Sequence, residues 1–339
     1  MDRHERLAEL MERQGVDAVV LRRPANFAWY TGGADSKVDH VAPEGVADLV
    51  VRRDSPLVLT STIEAPRMRA EQTPDLEVAE YRWYEDRDAA LREVVGDARV
   101  GSDLGLPNTV DLSDEIARLR YTLDADAIEN LRAVGRDATA AMAEAAGGIE
   151  AGMNEHEAAA LLTAACRRRG LTATVLLAAA DERIAQHRHP VPVGARIERR
   201  AMLVASAERG GLYANLTQFV ELDEPNPELQ RRMRACEEIL ARMREEAARP
   251  GRTLAEAFAD CRRFYADAGY PDEWRLHHQG GLTGYGSREL IATPAGEHVI
   301  EPNQAFAWNP SVRGAKAEET FVLTEAGPEV VAGAALVLA

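Results

Sequence analysis

Lysine is nearly missing from this chain: 339 residues hold two, Lys37 and Lys316, against 38 arginines, a skew that fits either a GC-rich genome or a high-salt cytoplasm. Cysteine is scarce as well. Cys166, Cys236 and Cys261 stand far apart and form no Cys-x-x-Cys pair, which leaves neither a zinc ribbon nor a disulfide framework; they read as packing residues on helices. An excess of positive charge is absent. The formal net charge of −16 speaks against nucleic acid and against an anionic membrane as partners, because both need concentrated cations. The longest apolar runs, Val175 to Ala180 and Val330 to Ala339, fall short of the roughly 20 residues that cross a bilayer. Met1 to Gln14 is charged throughout and has no apolar signal core, so a cytoplasmic location is expected. No strand-turn-helix elbow presents a serine or cysteine nucleophile. The rest is ordinary globular composition, 46% hydrophobic and 28% charged, in a chain long enough for two cores.

Two kinds of pattern follow one another. Over 1–122, helix and strand signals alternate: a charged amphipathic segment Arg3 to Gln14, an apolar strand Ala18 to Leu21, a turn-rich stretch Pro24 to Gly33, then strands Ala47 to Val51 and Pro56 to Thr60. This predicts a small α/β domain closing near Leu119 to Ala125. Segment 123–339 repeats one theme. Helices Asp126 to Ala146 and Asn154 to Arg169, the second opened by the capping-box pattern Asn154-x-x-Glu157, precede apolar strands at Ala173 to Leu177, Ala201 to Ser206 and Leu212 to Val220. Helices Pro227 to Arg244 and Leu254 to Ala268, the latter opened by Thr253-x-x-Glu256, precede strands near Gln304 to Asn309 and Glu318 to Leu323. Two helices and then antiparallel strands, twice over, predict an α+β domain with a pseudo-twofold repeat.

Four short segments of this second part carry more specific information. They are Gly211-Leu212-Tyr213-Ala214-Asn215-Leu216-Thr217-Gln218-Phe219, His277-His278-Gln279-Gly280-Gly281-Leu282, Asn309-Pro310, and Lys316-Ala317-Glu318-Glu319-Thr320-Phe321-Val322-Leu323-Thr324. With Asn26-Phe27-Ala28-Trp29-Tyr30-Thr31-Gly32 in the first part, their order and spacing resemble the creatinase/prolidase/aminopeptidase P family, whose catalytic domain has the pita-bread fold. The resemblance extends over most of the chain. It implies a creatinase N-terminal-like domain over 1–122 and a pita-bread domain over 123–339.

In that family two dications are held by two aspartates on a strand hairpin, a histidine in a glycine-rich segment and two glutamates on a later hairpin. The corresponding positions here are Val204, Asn215, His278, Asn309 and Glu318. Valine offers no ligand and asparagine only a neutral carbonyl, whereas two crowded dications need several carboxylates to replace water and offset charge. One imidazole and one carboxylate remain, fewer than the three protein ligands of a catalytic zinc. The expectation is therefore no metal and no cofactor. A single weakly held ion is the alternative, if Glu319 or Glu289 moves in.

The resemblance also implies roles. His278 would be a general acid/base, given an imidazole pKa near neutrality. Glu318, on one face with Lys316 and opposite to Glu319 if the segment is an alternating strand, would orient His278 or hold a cationic substrate group. Family members place a substrate-contacting histidine three residues before a proline; that spacing selects His187 in His187-Arg188-His189-Pro190, with His189 close enough to exchange roles. Tyr213, Asn215 and Thr217 alternate along one strand face and, with Asn309, would line the pocket. Arg288 could bind a substrate carboxylate through its planar fork, and Glu289 lies beside it. Trp29, Tyr30, Asp35 and Lys37 belong to a segment that in this family can reach the other subunit's site in a homodimer.

Three functions compete on this reading. The first is a metal-independent hydrolase or lyase acting on a small polar C–N compound, as metal-free family members do. An Xaa-Pro aminopeptidase or dipeptidase is the second. The third is an inactive module that holds a peptide or metabolite in the old cleft. All three imply a small-molecule partner.

Overall fold

The computed structural model describes residues 2–334, so the end of the apolar run 330–339 lies outside the described residues. The chain forms two compact units, Met1–Tyr121 and Thr122–Ala339. Among the described residues no helix is long and apolar enough to cross a membrane.

The first unit contains strands β1 (Ala18–Leu21), β2 (Ala47–Arg52), β3 (Pro56–Ser61), β4 (Glu77–Tyr81), β5 (Val100–Ser102) and β6 (Val110–Asp111), with helices α1 (Arg3–Gln14), α2 (Pro24–Thr31), α3 (Ala65–Arg67), α4 (Arg87–Val95) and α5 (Ser113–Leu119). The sheet order is β4-β3-β2-β1-β5-β6. It is mixed, antiparallel through β1–β2–β3 and parallel elsewhere. Strands β1 and β2 are almost wholly buried, which explains their continuous apolar runs.

Helix α2 departs from the expected turn-rich stretch Pro24 to Gly33. Pro24 sits at the first helical position, where its missing N–H costs nothing, and Gly32 ends the helix in a left-handed conformation. No side chain nearby in sequence caps the start. Asp103, nearly 80 residues on, accepts from the backbone N–H groups of Arg22 and Arg23 and from Asn26 Nδ2, at 2.8–3.0 Å. A long-range cap of this kind leaves no local sequence signal.

In the second unit, α6 (Ala125–Gly147) and α7 (Glu155–Arg168) precede β7 (Thr172–Ala180), the short α8 (Glu182–Gln186), β8 (Arg200–Arg209) and β9 (Leu212–Glu221). Helices α9 (Pro227–Arg242) and α10 (Leu254–Asp267) then precede β10 (Gly280–Thr283), β11 (Leu290–Ile291), β12 (Ala305–Trp308), β13 (Ser311–Val312), β14 (Ala315–Lys316), β15 (Glu319–Thr324) and β16 (Gly327–Ala332). Each half is two helices followed by antiparallel strands: β7-β8-β9 in one, β11-β10-β12-β15-β16 in the other. The α+β pita-bread reading with its repeat thus holds. Both predicted capping boxes, Asn154 with Glu157 and Thr253 with Glu256, are formed.

Close backbone approach fixes two places. A Cβ on Gly135, in the middle of α6, would lie 2.1 Å from the Val331 carbonyl oxygen of β16, so the helix rests directly on the strand. Gly280 has φ +92°, and a Cβ there would stand 2.0 Å from the Ala307 carbonyl. Only glycine allows β10 to pair with β12 two residues after His278.

Candidate active site

The β8–β9 hairpin sets the floor. Its register places Val204 opposite Thr217 and Ser206 opposite Asn215, so these four share a face. Val204 belongs to an apolar cluster with Leu177, Ala179, Ile184 and Met202. Asn215 is fully buried and its amide is spent on neutral neighbours: Oδ1 accepts from Ser206 Oγ at 2.6 Å, and Nδ2 donates to Thr283 Oγ1 at 3.3 Å and to the Ser287 carbonyl at 3.4 Å. Its backbone N–H donates to Thr320 Oγ1 on β15 at 2.7 Å. Asn215 therefore knits the two sheets together.

Glu318 stands in the link between β14 and β15 rather than in a strand, yet its head does meet that of Lys316. One carboxylate oxygen accepts from Lys316 Nζ and from Thr217 Oγ1, each at 2.7 Å; the other accepts from Arg288 at 2.9 Å. Burial alone would raise this pKa, but the adjacent Lys316 and Arg288 outweigh it and hold Glu318 down to about 2. Lys316 and Glu318 are both buried, and the bundle carries one net positive charge. His278 is not among the hydrogen-bond partners of Glu318, so the expected orienting contact is replaced by ion pairs. Glu319 turns away to Arg244.

Three imidazoles gather beside this bundle. His277 is buried; its Nδ1 lies 3.1 Å from Ser311 Oγ and its Nε2 lies 3.0 Å from His189 Nε2. His278 accepts the Gly280 N–H on Nδ1 at 3.2 Å. Ring centres are 4.7 Å apart for His277 and His278, 4.8 Å for His189 and His277, and 5.7 Å for His189 and His278. Burial, reinforced by the charge of Arg288, lowers His278 to about 4; burial and Lys316 lower His277 to about 2 and lower His189 as well. An imidazole of near-neutral pKa at His278 was expected. The structure corrects this: burial, reinforced by the fixed cation Arg288, keeps the ring uncharged well below neutral pH.

The choice between the two loop histidines also reverses. His187 ends α8 with its backbone N–H on the Arg183 carbonyl and is exposed. The chain bends after it, so the alternation of an extended strand does not apply, and His189 is the residue that joins the cluster. Glu155, at 0% exposure, secures this loop by accepting the Val193 N–H at 2.9 Å. Asn309 is buried with its Oδ1 unpartnered, and Arg288 Nε is likewise buried without a partner. Tyr213 is half-buried at the start of β9, its N–H on the Gly284 carbonyl, and Glu289 pairs its N–H with the Leu282 carbonyl. Sequence reasoning passed over Ser206, His277 and Ser311, and gave Lys316 no role of its own. For Lys316 a signal existed, since it is one of two lysines in a chain that otherwise uses arginine.

The sequence model of the metallopeptidase family M24 matches residues 129–325, more than half of the chain, and that of the creatinase/prolidase N-terminal domain matches residues 3–134. The chain belongs to the M24 family. An Xaa-Pro dipeptidase of Pyrococcus furiosus is 23% identical to it, the alignment covering 96% of each chain. Among solved structures, a prolidase from Pyrococcus horikoshii superposes with a TM-score of 0.81 at 19% identity, covering 99% of both chains. An X-Pro aminopeptidase from Thermotoga maritima gives 0.80 at 23% identity, over 98% of both.

These findings overturn the first functional expectation, a metal-independent hydrolase or lyase acting on a small polar C–N compound. The relatives are Xaa-Pro peptidases in a metallopeptidase family, in line with the second of the three readings. The family's two-ion centre is a separate matter, and the five residues that the resemblance sets at its ligand positions do not fit it. Val204 is packed among apolar side chains, and the Asn215 amide is engaged by two hydroxyls and a backbone carbonyl. Glu318 is already neutralised by two protein cations. A pair of dications there would face Lys316 and Arg288 with a single carboxylate between them.

Proposed function

We propose that this M24 member acts on short peptides of the Xaa-Pro class, as a dipeptidase or aminopeptidase. The observation that carries the reading is the cluster of His189, His277 and His278, which lies close enough to the Glu318–Lys316–Arg288 bundle to feel its charges, on segments that the family resemblance assigns to the catalytic centre. The residues suit a small zwitterion. Arg288 has an unpartnered Nε–H and the bundle an excess positive charge, which together favour a peptide carboxylate. The Oδ1 of Asn309 is an unused acceptor for a peptide N–H or ammonium group. Uncharged His189 can accept a proton from attacking water, the nucleophile in a site without a serine or cysteine elbow. A cytoplasmic homodimer belongs to the same proposal, supported by the family.

One observation favours a second reading: Val204, Asn215 and Asn309 remove three ligand positions at once, as in a module that binds peptides without cleaving them. Turnover of Xaa-Pro dipeptides, matched dipeptides without proline, and free proline should be followed after incubation with manganese, cobalt or zinc, with calorimetric binding beside it. Cleavage restricted to Xaa-Pro peptides supports the first reading. Binding without cleavage replaces it with the second, and neither binding nor cleavage refutes both.

A further inference from the structure

We propose that His189, His277 and His278 form a nitrogen-only site for one late first-row divalent cation, with zinc as the reference ion and a ligand set that shares only His278 with the family's two-ion centre. The spacing of the rings is the first argument. A tetrahedral zinc has Zn–N of about 2.05 Å, and a ring centre lies about 1.15 Å beyond its nitrogen, so three bound imidazoles have centres about 5.2 Å apart. The observed separations of 4.7, 4.8 and 5.7 Å bracket that value. The donor atoms lie within 4.8 Å of one another, and the His189 and His277 Nε2 atoms are already 3.0 Å apart, against about 3.3 Å on such an ion. Rotation of His278 away from the Gly280 N–H closes the remainder.

Tautomer and access agree. Ser311 Oγ accepts from Arg188 at 3.0 Å, which uses one lone pair and leaves another for the Nδ1–H of His277. In that tautomer the Nε2 lone pair of His277 faces His189, the arrangement found when a hydrogen bond orients a ligating histidine. His189 is exposed while His277 is buried, so an ion has an entry path and a dry inner wall. Three neutral nitrogens without thiolate or carboxylate select zinc, copper, nickel or cobalt over magnesium, calcium or manganese. The positive excess of the Lys316–Glu318–Arg288 bundle favours an anion as fourth ligand, either a peptide carboxylate or hydroxide.

The inference rests on the peptidase reading only for what the ion would serve; its test reads the metal itself. Zinc affinity is measured on the stripped full-length protein by competition with a chromophoric chelator, and cobalt(II) absorption serves as a second readout. The expected result is one equivalent per chain with an intense tetrahedral cobalt spectrum. His189→Gln and His277→Gln should each weaken zinc binding by more than about tenfold. The metal-free His189→Gln protein should unfold at the same temperature as the parent, because the residue is exposed. No retained zinc, a weak octahedral cobalt spectrum, or unchanged affinity in His189→Gln overturns the proposal. Xaa-Pro hydrolysis is assayed separately, so zinc binding without hydrolysis leaves this site standing while removing the peptidase reading.

Discussion

Replacing Glu318 by glutamine tests the charge bundle directly, because the amide keeps the shape and removes the one anion between two cations. In the structure Glu318 and Lys316 are both under 10% exposed and Arg288 is largely covered, with ion-pair distances of 2.7 and 2.9 Å. The substituted amide could still accept from Lys316 and Thr217, but nothing would offset the two buried positive charges. Breaking a buried pair from one side costs about 3–5 kcal/mol. At about 2–4 °C per kcal/mol for a domain of this size, the second unit should melt roughly 6–20 °C lower. Urea unfolding at pH 7.5 in the presence of chelator gives the free energy, and hydrogen exchange assigns the loss to the second unit. Lys316→Met added to Glu318→Gln should recover part of the loss, since it removes a stranded cation. A Glu318→Gln protein within about 0.5 kcal/mol of the parent, the range of a neutral surface change, would refute the reasoning and return Glu318 to the role of a free metal ligand.

Acid sensitivity is a second consequence. His277 and His278 have folded pKa values lowered to about 2 and about 4 from 6.5, so unfolding takes up protons; their stabilisation is complete above pH 6.5 and is lost as pH falls below it. Glu318, lowered from 4.5 to about 2, contributes fully above pH 4.5, whereas Glu221 and Glu319, raised by burial, bind protons in the folded state above pH 4.5 and oppose the histidines. Denaturant titrations of parent and His277→Gln compared between pH 6.5 and 4.5 should differ in slope by about one proton, worth about 1.4 kcal/mol per pH unit; identical slopes contradict the assignment. The third prediction concerns Gly135→Ala. A helix-interior alanine ordinarily gains about 1 kcal/mol over glycine, but here its Cβ would lie 2.1 Å from the Val331 carbonyl. The variant should therefore be destabilised by at least about 1–3 kcal/mol, and a rise in melting temperature would show that α6 does not rest on β16.

What the sequence by itself determined are features that depend on neighbours along the chain. Periodicity and capping boxes gave the repeated helix-helix-sheet pattern, because hydrophobic spacing and local caps act within a turn or two. The residues that the resemblance sets at ligand positions, Val204, Asn215 and Asn309, were legible too, since side-chain chemistry alone rules them out as anionic ligands. Only the tertiary structure decided how the remaining groups are used. Arg288 reaches Glu318 across 30 residues, and His189 meets His277 across 88; both contacts are fixed by strand register and by the loop held on Glu155. The same crowding of cations and burial made His278 neutral, a property set by the whole cavity and absent from any single segment.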